Sequence, residues 1–252
     1  MRDRKPVIFF FCWYCTDSHR QVIMGEHKRT LTDVKNVILS AHEDSGPRDK
    51  VCFYNKWAEQ YEEDVALLDY RAPSLATECI ASHVQGDKGS AKVLDVACGT
   101  GLVSVKLREK GFQHFSGVDG SEAMLEVCRR TGLYQDLWPC VLGLEPLPVQ
   151  AEAYDIVVIV GALSVGQVPV SVIEELWVAT KPGGYICLTT RANPDNLEYK
   201  AELELTLDEM TRDGRLVRVS VTEVEEWERA VQEHETGYIP GAVYLYRKAL
   251  HS

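Results

Sequence analysis

Two carboxylates and two glycines carry the chemistry that this chain can be read for. Asp95 stands just ahead of the turn "ACGTG" in "LDVACGTGL", residues 94–102. Gly99 and Gly101 in that turn let a ligand come close to the backbone, and the helix that follows offers free N–H groups. Asp119 follows 24 residues after Asp95, near the spacing at which an acid grips ribose hydroxyls. A dinucleotide would place its pyrophosphate over the glycines and expects G-x-G-x-x-G, but Ser104 holds the third position here. Asp95 would repel a pyrophosphate and suits a ligand with positive charge. S-adenosylmethionine has no phosphate and carries a sulfonium and an ammonium on its methionine half, so the charges favour it. Each carboxylate also has a structural use: Asp95 could cap the turn through backbone amides, and Asp119 could cap the next helix. Met124 on that helix is placed either to pack on an adenine or to join the core.

These residues need a scaffold, and the chain supplies a recurring one. Short β-branched runs alternate with helical ones: "AKVLDVA", "HFSGVDG", "WPCVLG", "YDIVVIVGAL" and "GYICLTT", then "RLVRVSV" and "GAVYLYRK". Such alternation predicts an α/β fold, a doubly wound Rossmann-like sheet, mostly parallel, with helices on both faces and the last strand joined antiparallel. Ligands of such sheets bind at the carboxyl ends of the strands, which is where the glycine turn falls. Ahead of the sheet, Phe53, Trp57, Tyr61, Val65 and Leu68 recur at helical steps and predict one aromatic helix face in an N-terminal helical cap. Pro73 suits the first turn of a further helix.

At 252 residues the chain suits one large domain with extensions. The division expected is an N-terminal extension over 1–47, partly disordered, and the cofactor-binding domain over 48–252. A formal net charge of −11 counts against nucleic-acid partners, whose phosphates demand Lys and Arg. Residues 198–235 hold 12 acidic and 5 basic side chains, a pattern expected of a solvated helical face. Eight scattered cysteines point to a reducing compartment, hence the cytoplasm. Cys12 and Cys15 have no second pair to complete a zinc site, and no metal is expected. The apolar run from Val7 to Cys15 is short for a signal peptide and far too short for a bilayer, so no membrane partner is expected. Residues 1–23 read as a poorly ordered extension ahead of Met24.

"LDVACGTG", "GVDGS", "YDIVV" and "TKPGG", in that order across residues 91–190, resemble the class I, seven-stranded S-adenosylmethionine-dependent methyltransferases. A denser resemblance to one member of that family runs from about Phe53 to Lys200. It rests on "YNKWAEQYEEDV", "YRAP", "EPLP", "IVGALSVGQVP", "LTTR" and "NLEYK"; the first 40 residues carry none of it. The resemblance implies that Asp95, Ala97, Gly99 and Gly101 surround the methionine part of the cofactor. It implies Asp119 on the ribose, Gly120 and Met124 near the adenine, and the loop "GLEPLP" over the base with the Leu144 N–H directed to it. Val160 and Gly161 would face the reacting methyl. Trp57, Tyr61 and Arg71 would cap the cofactor, with Arg71 either on its carboxylate or free at the surface. Two positions depart from the pattern: Ala97 replaces the usual first glycine, and Gly143 replaces an acid that often meets the adenine, leaving Glu145 as a substitute.

Methyl transfer is an in-line displacement in which positioning supplies much of the rate, so no catalytic residue is assigned. "GALSVGQVP" lacks the Asp/Asn-Pro-Pro-aromatic motif that accepts amide-like nitrogens, which argues against nucleobase amines and glutamine. Pro139 and Cys140 fall before the expected third strand, which argues against a cytosine-directed nucleophile. Ser164, Gln167, Arg191 and Asn193 are the candidate substrate-facing residues, each also readable as a loop residue without a role. The aromatic helices suggest a closed pocket for a small molecule, or a slot for one protein side chain. Two other readings stay open: a non-enzymatic S-adenosylmethionine-binding regulator, and a nicotinamide-dependent oxidoreductase.

Overall fold

A computed structural model describes residues 29–41, 46–232 and 235–250. The segment 1–23, with its Cys12–Cys15 pair, lies outside the described residues. Seven strands form one sheet in the order β3-β2-β1-β4-β5-β7-β6. The first five, β1 (Lys92–Val96), β2 (His114–Asp119), β3 (Tyr134–Pro139), β4 (Tyr154–Leu163) and β5 (Thr180–Arg191), run parallel. β7 (Tyr238–Lys248) inserts antiparallel between β5 and β6 (Leu216–Arg229). The strand order reverses between β1 and β4, and the carboxyl ends there diverge to open a crevice.

Strand alternation divides the core into two. Leu94, Val96, Val157 and Ile159 pack on one face with Ile173 and Leu176 of α7 (Val172–Ala179) and Leu203 and Leu207 of α8 (Leu197–Arg212). Val93, Ile156 and Val158 pack on the other with Ala76 and Ile80 of α4 (Ala72–His83) and Val103 and Leu107 of α5 (Leu102–Glu109). Both faces of β4 are covered, which is why its sequence is a continuous apolar run rather than an alternating one. Helix α6 (Glu122–Arg130) closes the β2–β3 end through Leu125 and Cys128.

Three sequence expectations are corrected. The third strand is Tyr134–Pro139, four residues ahead of the run "WPCVLG", so Pro139 ends β3 and Cys140 follows it. The strand is only half covered, and its exposed glutamine and aspartate masked its period. The aromatic face from Phe53 to Leu68 is not one helix. α2 (Pro47–Trp57) gives way to a 3-10 turn at Ala58–Gln60, and α3 (Tyr61–Leu67) follows. The acidic segment is helical only as far as Arg212; beyond it lies β6, the sheet edge, where exposed charges protect an unpaired strand. Within the stretch expected to be an extension, α1 (Leu31–Ala41) packs on α3.

Candidate functional site

The glycine turn is shaped by three left-handed residues in a row of five. Ala97, Gly99 and Gly101 have φ of 54°, 55° and 96°. A Cβ on Gly99 would meet nothing within 4 Å, so open space lies over it, whereas one on Gly101 would press on Cys128 and Tyr134 at 3.3 Å. Gly99 therefore faces a cleft and Gly101 serves packing at the start of α5. Ala97 holds a conformation that costs an L-residue with a Cβ about 1–2 kcal/mol.

Asp119, at the end of β2, ties the turn to the next loop. Its Oδ2 accepts the Gly99 N–H and its Oδ1 the Ser121 N–H, both at 2.8 Å. Burial raises its pKa, and those two amides oppose the rise. Capping of α6 falls instead to Ser121, whose Oγ accepts the Met124 N–H at 3.2 Å. Each Asp119 oxygen thus keeps a lone pair, and the carboxylate lines the cleft. Asn55 of α2 accepts Ser121 Oγ–H at 2.8 Å and the Ala123 N–H at 3.1 Å, fixing the N-terminal cap over this end.

The cleft encloses about 780 Å³, its open mouth included, and its walls include Ala97, Gly99, Asp119, Gly120, Met124 and Val160. A second cavity of about 610 Å³, its mouth likewise included, adjoins it. The two share Tyr54, Tyr61, Gly161 and Gln167. Gly161 has φ of 79°, and a Cβ there would lie 2.0 Å from the Tyr70 hydroxyl oxygen, so only glycine lets Tyr70 reach this boundary. Tyr54 donates its hydroxyl to Gln167 Oε1 at 3.3 Å across the same boundary. Burial pushes the Tyr54 pKa up to about 12 and raises those of Tyr61 and Tyr70 as well, so these phenols stay protonated.

The second cavity is assembled from distant segments. Trp57 is held by its indole N–H on Asp64 Oδ2 at 2.7 Å, and Arg29 pairs with the other Asp64 oxygen at 2.8 Å. Main-chain bonds from Arg71 N to Trp227 O at 3.0 Å and from Arg229 N to Leu68 O at 2.8 Å stitch the cap to the end of β6. There β6 bulges: the five residues from Val224 to Glu228 lie opposite three of β7, Gly241 to Ile239. Trp227 lies over Gly241, and both Trp227 and its neighbour Glu228 line the cavity. Burial pushes Glu228 up to about 7, with Glu235 adding to the rise and Arg191 opposing it.

The expected site residues divide accordingly. Tyr61, Ala97, Gly99, Asp119, Gly120, Met124, Val160 and Gly161 line the first cavity. Ser164, Gln167 and Arg191 line the second, as does Trp57, expected on the cofactor. Asp95 lines neither. It alternates with Leu94 and Val96, faces α5, and receives Ser104 Oγ–H at 2.9 Å and the Tyr134 hydroxyl at 2.8 Å, not turn amides. Burial pushes its pKa up to about 6. Arg71 is engaged elsewhere, on Asp69 at 2.7 Å, on Glu226 at 2.9 Å and over the Tyr238 ring. Leu144 spends its N–H on Val141 O at 3.0 Å, and Val141 and Leu142 form the wall instead. Glu145 accepts the Val141 N–H at 2.9 Å and so braces the loop. An acid cannot replace Gly143, which has φ of 82° and would bring a Cβ within 2.5 Å of Pro169. Asn193 lines neither cavity; its amide holds Glu235 at 2.9 Å. Sequence reasoning missed Tyr54, Asn55, Tyr70 and Glu228. Among the described residues no group of acids, histidines and cysteines could hold a metal, and no helix is long and apolar enough to cross a membrane.

A family pattern described as a methyltransferase domain matches residues 93–184. The chain is similar to human methyltransferase-like protein 27, 51% identical over 189 residues that cover 75% of this chain and 77% of the relative. It is 30% identical to the ubiquinone biosynthesis O-methyltransferase of Acinetobacter baylyi, over 54% of this chain and 57% of that one. In fold it is similar to an S-adenosylmethionine-dependent methyltransferase of Thermotoga maritima, at TM-score 0.53 and 18% identity over 77% of this chain and 98% of that one. The chain belongs to the class I S-adenosylmethionine-dependent methyltransferases, in the company of methyltransferase-like protein 27, and its cofactor is S-adenosylmethionine.

Proposed function

We propose that the first cavity holds S-adenosylmethionine and the second the methyl acceptor, with Gly161 at their junction. The observation that carries this reading is the shared wall of Tyr54, Tyr61, Gly161 and Gln167. The residues present fit the cofactor: open space over Gly99 suits its methionine part, and the spare lone pairs of Asp119 suit ribose hydroxyls. Met124, Val141 and Leu142 would flank the adenine. When bound, S-adenosylmethionine supplies an electrophilic methyl on a sulfonium. The chain's part is to hold that methyl against Gly161, exclude water with the aromatic cap, and orient the acceptor for in-line attack.

The acceptor in this reading is a small molecule or one protein side chain, since the second cavity is bounded by α2, α3 and the β6 bulge. The domain carrying the site is residues 48–252, with α1 adding Ile38 to the acceptor wall. Six free cysteines among the described residues support a reducing, cytoplasmic setting. Calorimetric titration with S-adenosylmethionine, S-adenosylhomocysteine and NAD tests the cofactor assignment. Binding of the first two without NAD is the expected result; no binding of either, or binding of NAD alone, would overturn it.

A further inference from the structure

The second cavity is lined by two opposite charges, Glu228 and Arg191. The Glu228 carboxylate and the Arg191 guanidinium act on each other through charge, but neither makes a direct hydrogen bond or salt bridge among the described residues. The other walls include five aromatic rings, Tyr54, Trp57, Tyr61, Tyr70 and Trp227, beside aliphatic residues and the polar Ser164, Gln167 and Thr190. A carboxylate among ring faces repels an anion, can accept a hydroxyl, and suits a protonated amine best, since the amine gains both an ion pair and cation–π contacts. The β6 bulge directs this carboxylate inward on the same strand whose other acids face solvent. The groups facing it are Arg191 from β5, Glu235 beyond β6, and Tyr54, Tyr61 and Tyr70 from the cap.

We propose that the acceptor is a small molecule with a primary or secondary amine, and that Glu228 binds its ammonium and takes its proton before transfer. Arg191 is left to hold an acidic or polar group on the same molecule. This rests on the reading of the first cavity as the cofactor's. The ammonium gives one proton to the Glu228 carboxylate, and the freed nitrogen lone pair attacks the methyl carbon. The carbon–sulfur bond breaks with its electron pair going to sulfur, which leaves S-adenosylhomocysteine and an N-methylammonium product. Glu228 then releases its proton to water. A carboxyl raised to about 7 by burial is matched to that exchange near neutral pH.

The full chain with methyl-labelled S-adenosylmethionine and a deproteinised cell extract provides the test. The extract is separated on a cation exchanger at acid pH, which retains amines whether or not they carry an acidic group. Unreacted S-adenosylmethionine, itself a retained cation, is resolved from products by a second chromatographic step and an enzyme-free control, and product label is expected in the retained fraction. Glu228→Gln is expected to lower it at least tenfold while leaving S-adenosylhomocysteine affinity within twofold of the parent. Label confined to the unretained fraction would overturn the amine assignment and leave methyl transfer standing. Full incorporation by Glu228→Gln would overturn the role of Glu228. No product label above the enzyme-free control in either fraction, with the cofactor bound in calorimetry, would contradict the acceptor reading and the amine with it. Since the wild-type fractionation decides the acceptor class by itself, the test survives a variant that fails to fold.

Discussion

The two cavities meet at Gly161 but are built by opposite means. The floor of the first is made from turns that follow β1, β2, β3 and β4, each supplying wall residues within a few positions of a strand end, and α2 and α3 of the cap close it through Pro47, Lys50, Val51, Tyr54 and Tyr61. Its key bond, Gly99 N–H to Asp119, joins neighbouring parallel strands. The second draws on α1, α2, α3, the Leu68–Arg71 segment, β5 and the β6 bulge, which are up to about 190 residues apart in sequence. Shared chemistry can therefore be preserved in the first while the second is rebuilt around a different acceptor. On the proposed reading, cofactor binding and acceptor choice rest mostly on different segments, and substitutions should show it.

The largest effect is expected at the junction. Gly161→Ala must displace Tyr70 and adopt a left-handed φ, a cost of about 2–4 kcal/mol in stability together with loss of turnover. Thermal unfolding and labelled-methyl transfer would register both; a variant of unchanged stability would mean the cavities are not held together by this contact. Asp119→Ala should act on the first cavity alone. Cofactor affinity is expected to fall by about 1.5–3 kcal/mol, the range for charge-assisted hydrogen bonds, and unchanged affinity in calorimetry would reduce Asp119 to a brace for Gly99 and Ser121.

Glu228 sharpens the contrast from the other side. Its folded pKa, about 7, stands above its usual 4.5, so the unfolded chain loses this proton first as pH rises. Folding is penalised progressively from pH 4.5 upward, and fully above about 7. Glu228→Gln should therefore stabilise the protein at pH 8, on the order of 1–2 kcal/mol, and leave it unchanged at pH 4. Urea titrations at the two pH values would decide it; destabilisation at pH 8 would show that the carboxylate has a partner. The smallest effect is expected at Ala97→Gly, which relieves a left-handed alanine and should add about 1 kcal/mol of stability, less the entropy a glycine brings to the unfolded chain. Its cofactor affinity should stay within a factor of two.

The first cavity was largely legible in the sequence because its signals are local. "LDVACGTG" and "GVDGS" each place a strand end, a turn and a helix start within eight residues, and the structure puts Ala97, Gly99, Asp119 and Gly120 on the wall they imply. What failed there was direction rather than position. Strand alternation turns Asp95 toward α5, and a local turn consumes the Leu144 N–H, neither of which a motif records. The second cavity was mostly hidden. Tyr54 lies one position off the aromatic stripe, and Glu228 sat in an acidic run that reads as solvated surface. Only the bulge opposite Gly241, and main-chain pairing of β6 with residues 68–71, bring that acid inward. Arg71 illustrates the same limit in reverse: its neighbours Asp69 and Glu226, one local and one 155 residues away, take the charge expected for the cofactor.

The arrangement of the two cavities about Gly161 is tested most directly by nuclear Overhauser contacts from S-adenosylmethionine labelled with carbon-13 in its methyl group. Contacts from that methyl to the Gly161 α-protons and to the rings of Tyr61 and Tyr70 are the predicted result. Contacts instead to Leu144 or to the Arg71–Tyr238 surface would contradict it, because the methyl would then point away from the only wall the two cavities share among the described residues.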